Sequence, residues 1–203
     1  PRASIRGNWR TCGERRYRWP APSSGQVSGA RAYAAAVTVT VRAYSPADLA
    51  TVHAINQAEV PAVGSEPVEE IEHIAAISAI ALVATVDDAI AGFTLVLPPG
   101  TDYKSDNYAW FAERYADFLY LDRVAIAPPY QRMGIGRALY DEVSAEARRA
   151  RPSATDWLLE VNLRPRNDRS LAFHAALGFQ EVGQHESRHG YLVSMMARPL
   201  VSA

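Results

Sequence analysis

Residues 120–142, YLDRVAIAPPYQRMGIGRALYDE, restrict what this chain can fold into more than any other stretch. Tyr120–Ala127 is dense in branched and aromatic residues, as a buried strand requires. Pro128 and Pro129 end that strand, because neither can donate a ladder hydrogen bond. Gln131-Arg132-Met133-Gly134-Ile135-Gly136 follows as a glycine-containing turn. From Arg137 the pattern is helical, with Leu139, Val143 and Ala147 in steps of four on one face. Strand, tight loop and helix therefore follow directly on one another. The loop sits where backbone N–H groups have no intrahelical partner and the helix dipole is positive, which makes an anion site suited to phosphate. Gly134 and Gly136 let the backbone approach such a ligand closely.

A Walker A loop would need Gly-Lys-Ser/Thr, and Lys104 is the only lysine in the chain. A dinucleotide fingerprint would need a third Gly or Ala where Leu139 stands. A third phosphate-binding pattern, Gln/Arg-x-x-Gly-x-Gly/Ala, fits Gln131, Gly134 and Gly136 in register. An ordinary helix start with two flexible glycines also fits, so the flanking chain has to decide.

The 203 residues suggest one domain with an appendage, and 48% hydrophobic residues supply ample core. Residues 1–36 carry seven arginines against Glu14, so the remainder is weakly acidic. An acidic body argues against nucleic acid as principal partner. Cys12 is the only cysteine, which forbids an internal disulfide and fits a cytoplasmic setting. No apolar run reaches the roughly 20 residues of a transmembrane helix, so no membrane partner is expected. Residues 1–36 show no period and read as a disordered basic extension.

Val37–Val41 alternates strictly and reads as a strand. Ser45-Pro46-Ala47-Asp48 is a capping box opening a helix that ends before Pro61. A second helix spans about Pro67–Ser78, and Ala81–Val86 and Ala89–Leu97 form a hairpin about Asp87-Asp88. An insert, Thr101–Asp117, holds Tyr103, Tyr108, Trp110, Phe111 and Tyr115, which either pack it down or line a pocket mouth. Beyond the central unit come a strand, Trp157–Leu163, a short helix, Ser170–Leu177, stopped by Gly178, and a strand pair, Gln180–His185 with Tyr191–Arg198. Ser170 reads as a cap. The histidines lack metal-ligand spacing, so no metal is expected.

With Gln131–Gly136 and the later Asn167-x-x-Ser170-x-x-Phe173-His174-x-x-x-Gly178-Phe179, the chain from Val37 to Leu200 resembles the GNAT superfamily of acetyl-CoA-dependent N-acetyltransferases, and more narrowly an uncharacterised bacterial branch of it. The resemblance implies an α/β domain over residues 37–203, with a mixed sheet of about six or seven strands flanked by helices. In it the strands Tyr120–Ala127 and Trp157–Leu163 splay apart. The pantetheine arm of acetyl-CoA would enter the gap against the backbone of Val124, Ala125 and Ile126. Its pyrophosphate would lie on Arg132, Met133, Gly134, Ile135, Gly136 and Arg137, with Gln131 beside it. Asn167, Ser170 and Phe173 would complete the cofactor site.

The implied reaction moves acetyl from acetyl-CoA to a primary amine within a ternary complex. An acetyl-cysteine route is excluded, since no cysteine lies in the region of resemblance. The amine must lose a proton and the intermediate needs an oxyanion donor, here a backbone N–H near Val124 or Ile126. Asp122 and Glu160, on the two splaying strands, are both candidates for the base. His174 stands where the family generally has an acidic Tyr, and is either the acid or a packing residue. A small-molecule amine is the expected acceptor, held near Glu59–Gly64, the insert and the open strand ends. The departure at His174 leaves a non-catalytic acyl-CoA-binding module as the alternative. The last strands offer edges that a homodimer would cover.

Overall fold

The computed structural model describes residues 14–19, 37–187 and 190–200. Eight strands form one sheet in the order β1-β2-β3-β4-β5-β6-β8-β7. They are β1 (Arg15–Trp19), β2 (Val37–Ala43), β3 (Ile80–Val86), β4 (Ala89–Leu97), β5 (Phe118–Ile126), β6 (Asp156–Arg164), β7 (Gln180–Glu186) and β8 (Leu192–Pro199). Only β5 and β6 pair in parallel; the other neighbours are antiparallel, so the sheet is mixed. The helices are α1 (Leu49–Ala58), α2 (Val68–Ile77), α3 (Asp106–Ala112), α4 (Ile135–Ala150) and α5 (Asp168–Ala176).

Two cores flank the sheet. On one face Ile135, Leu139, Tyr140, Val143 and Ala147 of α4 pack with Leu119, Leu121, Trp157 and Phe179, and Phe173 of α5 joins them. On the other, Val52, Ile55, Ile71 and Ile74 of α1 and α2 meet Phe93, Leu95, Tyr120 and Met195. Tyr108 and Phe111 of α3 belong to this second core, so part of the aromatic insert is packing material.

Local signals behave as their chemistry requires. The Ser45–Asp48 capping box forms, first as a single 3-10 turn, Pro46–Asp48, that runs into α1. Asp87 and Asp88 both adopt positive φ (48° and 66°), the geometry that a two-residue hairpin turn demands. Gly178 closes α5 at φ 86°. The cap of α5 is Asn167, whose side chain accepts from the Ser170 amide at 3.1 Å; Ser170 lies inside the helix rather than capping it.

The basic extension holds one departure. Arg15–Trp19, without any apolar period, is a strand paired with β2. Its partner across the sheet edge is a charge: the fully buried carboxylate of Glu142 on α4 receives Arg15 Nε and the Tyr17 hydroxyl, each at 3.1 Å. Burial and the neighbouring Glu142 raise the Tyr17 hydroxyl to about 12. Residues 1–13, with Cys12, and 20–36 lie outside the described residues. No helix among the described residues is long and apolar enough to cross a membrane.

Candidate active site

The ladder between β5 and β6 is short. It runs from Phe118 opposite Asp156 to Tyr120 opposite Leu158 and then stops, although β5 continues to Ile126 and β6 to Arg164. Beyond that point the strands diverge around a cavity of about 780 Å³. Leu121, Val124, Leu159, Glu160 and Val161 form its walls, Asn167, Ser170 and His174 one end, and the α1–α2 loop with the insert the other.

Next to α5, which supplies the first end, α4 begins without a side-chain cap. Gly134 is its N-cap at φ 79°, and Arg132 also has positive φ, 63°. The first backbone bond is Ala138 N to Gly134 O, so among the described residues the amides of residues 132–137 have no backbone acceptor. They point from the positive end of a 16-residue helix, an arrangement that binds phosphate. A Cβ on Gly136 would stand 3.2 Å from Phe173 Cζ, so the small residue is what lets α5 close on the loop. Arg132 and Arg137 are exposed, Arg137 paired with Asp141 at 3.3 Å. Met133 is half-buried on the α4 side of the sheet. Gln131 is committed elsewhere: its Nε2 donates to Glu59 Oε1 (2.7 Å) and Ile126 O (3.1 Å), and Arg169 donates to its Oε1.

Between the ends, β5 carries a bulge. Arg123 lies opposite Leu95 and Leu121 opposite Val96, leaving Asp122 as the extra residue. Leu119 and Leu121 share one face with Val124 and Ile126, while Tyr120 and Ala125 occupy the other, so the alternation shifts phase at 122–123. Asp122 and Arg123 consequently meet, with Arg123 Nε 2.9 Å from Asp122 Oδ2. Arg123 is otherwise spent on Asn56 Oδ1 (3.0 Å), Gly64 O (2.9 Å) and Glu66 Oε1 (3.0 Å). Asp122 Oδ1 accepts from the Tyr103 hydroxyl at 2.6 Å.

Glu160, on β6, accepts from the Tyr120 hydroxyl at 2.7 Å and from Asn107 Nδ2 at 3.0 Å. Burial raises its carboxyl to about 7; the charge of Asp122 adds to the rise, and the bonds from Tyr120 and Asn107 oppose it. A carboxyl poised there exchanges a proton readily at neutral pH. The Tyr120 hydroxyl is pushed well above its ordinary value by burial and by Glu160, so it serves as donor.

His174 is 3% exposed, and both ring nitrogens are engaged. Nδ1 lies 2.8 Å from Ser170 O, which can only accept, so Nδ1 carries the proton. Nε2 then accepts from the Tyr140 hydroxyl at 2.6 Å. Burial lowers the ring to about 4, and it is neutral at pH 7.

The fold thus brings Asp122, Glu160 and His174 to one cavity, and α5, which carries His174, packs Phe173 against Gly136 at the start of α4. One contributor, Asn107, escaped the sequence reading, while Tyr103 is among the insert aromatics that line the cavity. Asn107 lies in the first turn of α3, too short a helix to show a period, and Tyr103 precedes it in the loop. Among the described residues no group of three or more His, Cys, Asp or Glu is placed to hold a metal ion.

No curated protein sequence matches the chain. Solved structures do. The ribosomal-protein-S18-alanine N-acetyltransferase of Escherichia coli superposes with TM-score 0.62 at 20% identity, over 81% of this chain and 96% of that one. Ard1 from Thermoplasma volcanium gives TM-score 0.65 at 20% identity, over 80% and 98%. Arabidopsis thaliana NAA60 in complex with acetyl-CoA gives 0.61 at 14%, over 79% and 98%. At such identities these likenesses establish the fold. The profile of the acetyltransferase (GNAT) family matches residues 49–179, well over half the chain and the whole of the cavity's strand–loop–helix frame, and the chain belongs to that family.

Proposed function

We propose that this protein is an N-acetyltransferase that moves the acetyl group of acetyl-CoA directly to a primary amine. One observation carries the reading: a buried carboxyl raised to about 7, Glu160, lines a cavity whose α5 wall packs Phe173 against Gly136, at the start of α4 where amides 132–137 have no backbone acceptor. The residues fit the co-substrate. Amides 132–137 would receive the pyrophosphate, Gly134 and Gly136 leave room for it, and the β6-facing edge of Val124, Ala125 and Ile126 is free of strand pairing. Asn167, Ser170 and Phe173 stand beside that path; Asn167 Oδ1 is already used by the α5 cap, which leaves its amide nitrogen for the ligand.

Glu160 is the base. An amine arrives largely protonated and gives one proton to Glu160, and its nitrogen then attacks the thioester carbonyl. The oxyanion is met by a backbone N–H on the free edge of β5. Collapse expels the thiolate, and the second proton shed by the nitrogen neutralises it. Asp122, held between Arg123 and Tyr103, fixes the field around Glu160. The neutral, doubly bonded ring of His174 supports a post between α4 and α5, not an acid.

The test is calorimetric titration of the full chain with acetyl-CoA, followed by thiol release with an amine panel. Saturable 1:1 binding and amine-dependent thiol release are expected. No binding at millimolar acetyl-CoA would overturn the reading.

A further inference from the structure

The α1–α2 loop presents an apolar surface where a loop is ordinarily polar. Val60, Pro61, Ala62 and Val63 follow one another there, and all four line the cavity that holds Glu160. Among the described residues three large hydrophobic side chains are exposed, and two of them, Val60 (41%) and Tyr191 (40%), line this cavity. Exposed apolar groups gathered at one cavity mark a place where something apolar binds. The charged lining is largely answered from within. Asp122 and Glu66 pair with Arg123, Glu160 accepts from Tyr120 and Asn107, and Lys104 and Asp106 also have partners, which leaves Glu70.

The loop does not hide this face by collapsing, because its backbone is tied. Arg123 is 6% exposed and reaches the loop from beside the β5 bulge. Its Nη1 donates to Gly64 O (2.9 Å) and Asn56 Oδ1 (3.0 Å), and its Nη2 to Glu66 Oε1 (3.0 Å). Asn56, fully buried on α1, donates to the same Gly64 oxygen at 3.0 Å. Within the apolar run, Pro61 O accepts from Asn162 Nδ2 of β6 at 3.4 Å. The insert is tied likewise, by Tyr103 to Asp122 and by Asn107 to Glu160. Loop and insert are thus both bonded to the strands that flank the base, which frames a small acceptor rather than a polypeptide end.

Building on the acetyltransferase reading above, we infer that the acceptor is a small primary amine with an apolar body, which lies on residues 60–63 and Tyr191 while its nitrogen meets Glu160, and that Arg123 is the positioning residue that holds this wall. Arg123 acts through the Gly64 carbonyl and Glu66, not on the amine itself. Its planar fork serves several acceptors in fixed directions, which the single ammonium of a lysine does not. A wall held this way is formed before the amine arrives, so the apolar body gains contact without first ordering the loop.

The experiment offers the full chain 2-phenylethylamine, ethylamine and a short peptide with an N-terminal phenylalanine, at saturating acetyl-CoA. Thiol release is the readout, and acetyl-CoA affinity is followed separately by calorimetry. 2-Phenylethylamine should exceed ethylamine in kcat/KM about thirtyfold, and the peptide about tenfold. Val60→Ser, at an exposed position, should raise KM for 2-phenylethylamine about fivefold and keep that for ethylamine within about twofold. Arg123→Lys keeps the charge beside Asp122 and loses the fork. It should raise KM for 2-phenylethylamine about tenfold, with kcat for both amines and acetyl-CoA affinity within about threefold of wild type. Glu66→Gln cuts one arm of the same tie at a side chain 32% exposed, and should raise that KM about threefold. Equal use of the two amines, or better use of the peptide, overturns the substrate class. A fall in kcat for both amines in Arg123→Lys, or its failure to fold together with an unmoved KM in Glu66→Gln, overturns the positioning role and leaves Arg123 a support of the fold. Binding of acetyl-CoA with transfer to none of the three overturns this inference alone; absence of acetyl-CoA binding overturns the reading beneath it.

Discussion

The two ends of the candidate site are built by opposite means. At the start of α4 the working groups are backbone amides, placed by one contiguous segment with Gly134 as N-cap. At the proposed acceptor end they are side chains from β5, β6, α1, α2 and the insert, joined through Tyr103–Asp122, Asn107–Glu160 and Arg123–Glu66. A backbone site is indifferent to most side-chain changes and sensitive to those that alter its path. A side-chain site is the reverse: each member can be lost singly, and its proton affinities follow its neighbours.

The largest effect should come from breaking the first end. Gly134→Glu puts a carboxylate where phosphate charge is expected and a Cβ on a residue at φ 79°. The backbone cost is about 1–2 kcal/mol, too small to unfold a domain of this size. Acetyl-CoA affinity should fall at least about a hundredfold in calorimetry. Arg132→Ala, which keeps the amides and removes an exposed side chain, should change it no more than about fivefold. Equal losses in the two variants would show that side chains, not amides, hold the co-substrate.

The second end should break at Glu160. Glu160→Gln keeps the shape and both hydrogen-bond partners within reach but cannot take a proton. We expect kcat at pH 7 to drop about 10²- to 10³-fold with acetyl-CoA affinity unchanged. The wild-type rate should rise with pH through about 7, as Glu160 ionises, and that limb should vanish in the variant. Persistence of the limb would move the base to another group.

The same contrast explains what could be read from the sequence. The hairpin at Asp87-Asp88, the capping box at Ser45 and the Gly134 loop are local, each written in adjacent residues whose chemistry permits one geometry. The parting of β5 and β6 was reached through family resemblance, and the pairing that ends at Tyr120 opposite Leu158 agrees with it. What escaped is long-range. Arg15–Trp19 forms a strand where β2 offers an edge and Arg15 and Tyr17 reach Glu142, more than a hundred residues on, and no period in RRYRW announces this. The bulge at Asp122 depends on its partner strand. Asn107 gains meaning only opposite Glu160.

Stability against pH sharpens the picture, because two buried groups pull in opposite directions. Glu160 is raised from 4.5 to about 7 in the fold, so the folded state holds the extra proton. Its contribution is fully present below pH 4.5 and is lost as pH rises through 7. His174 is lowered from 6.5 to about 4, so its contribution is present above pH 6.5 and is lost as pH falls toward 4. Between pH 4.5 and 6.5 the slopes offset each other. Glu160→Gln should unmask His174: relative to wild type, the variant gains about 2–3 kcal/mol at pH 8 over its standing at pH 5. Thermal melts at the two pH values read this, and an unchanged difference would mean that Glu160 is not desolvated.

The smallest effect should lie where the two ends touch. Arg169 on α5 donates to Glu59 Oε2 at 2.9 Å and also to Gln131, so it ties the α1–α2 loop to the α4 loop. Its side chain is 61% exposed, and a pair so open to solvent is worth at most about 1 kcal/mol. Glu59 is better buried, and Gln131 Nε2 still reaches it without Arg169. Arg169→Ala should therefore raise KM for acetyl-CoA about two- to fivefold and leave kcat and the amine KM alone. That split is the informative part. If the amine KM rises equally, the tie transmits between the ends, and the backbone-built and side-chain-built halves act as one site.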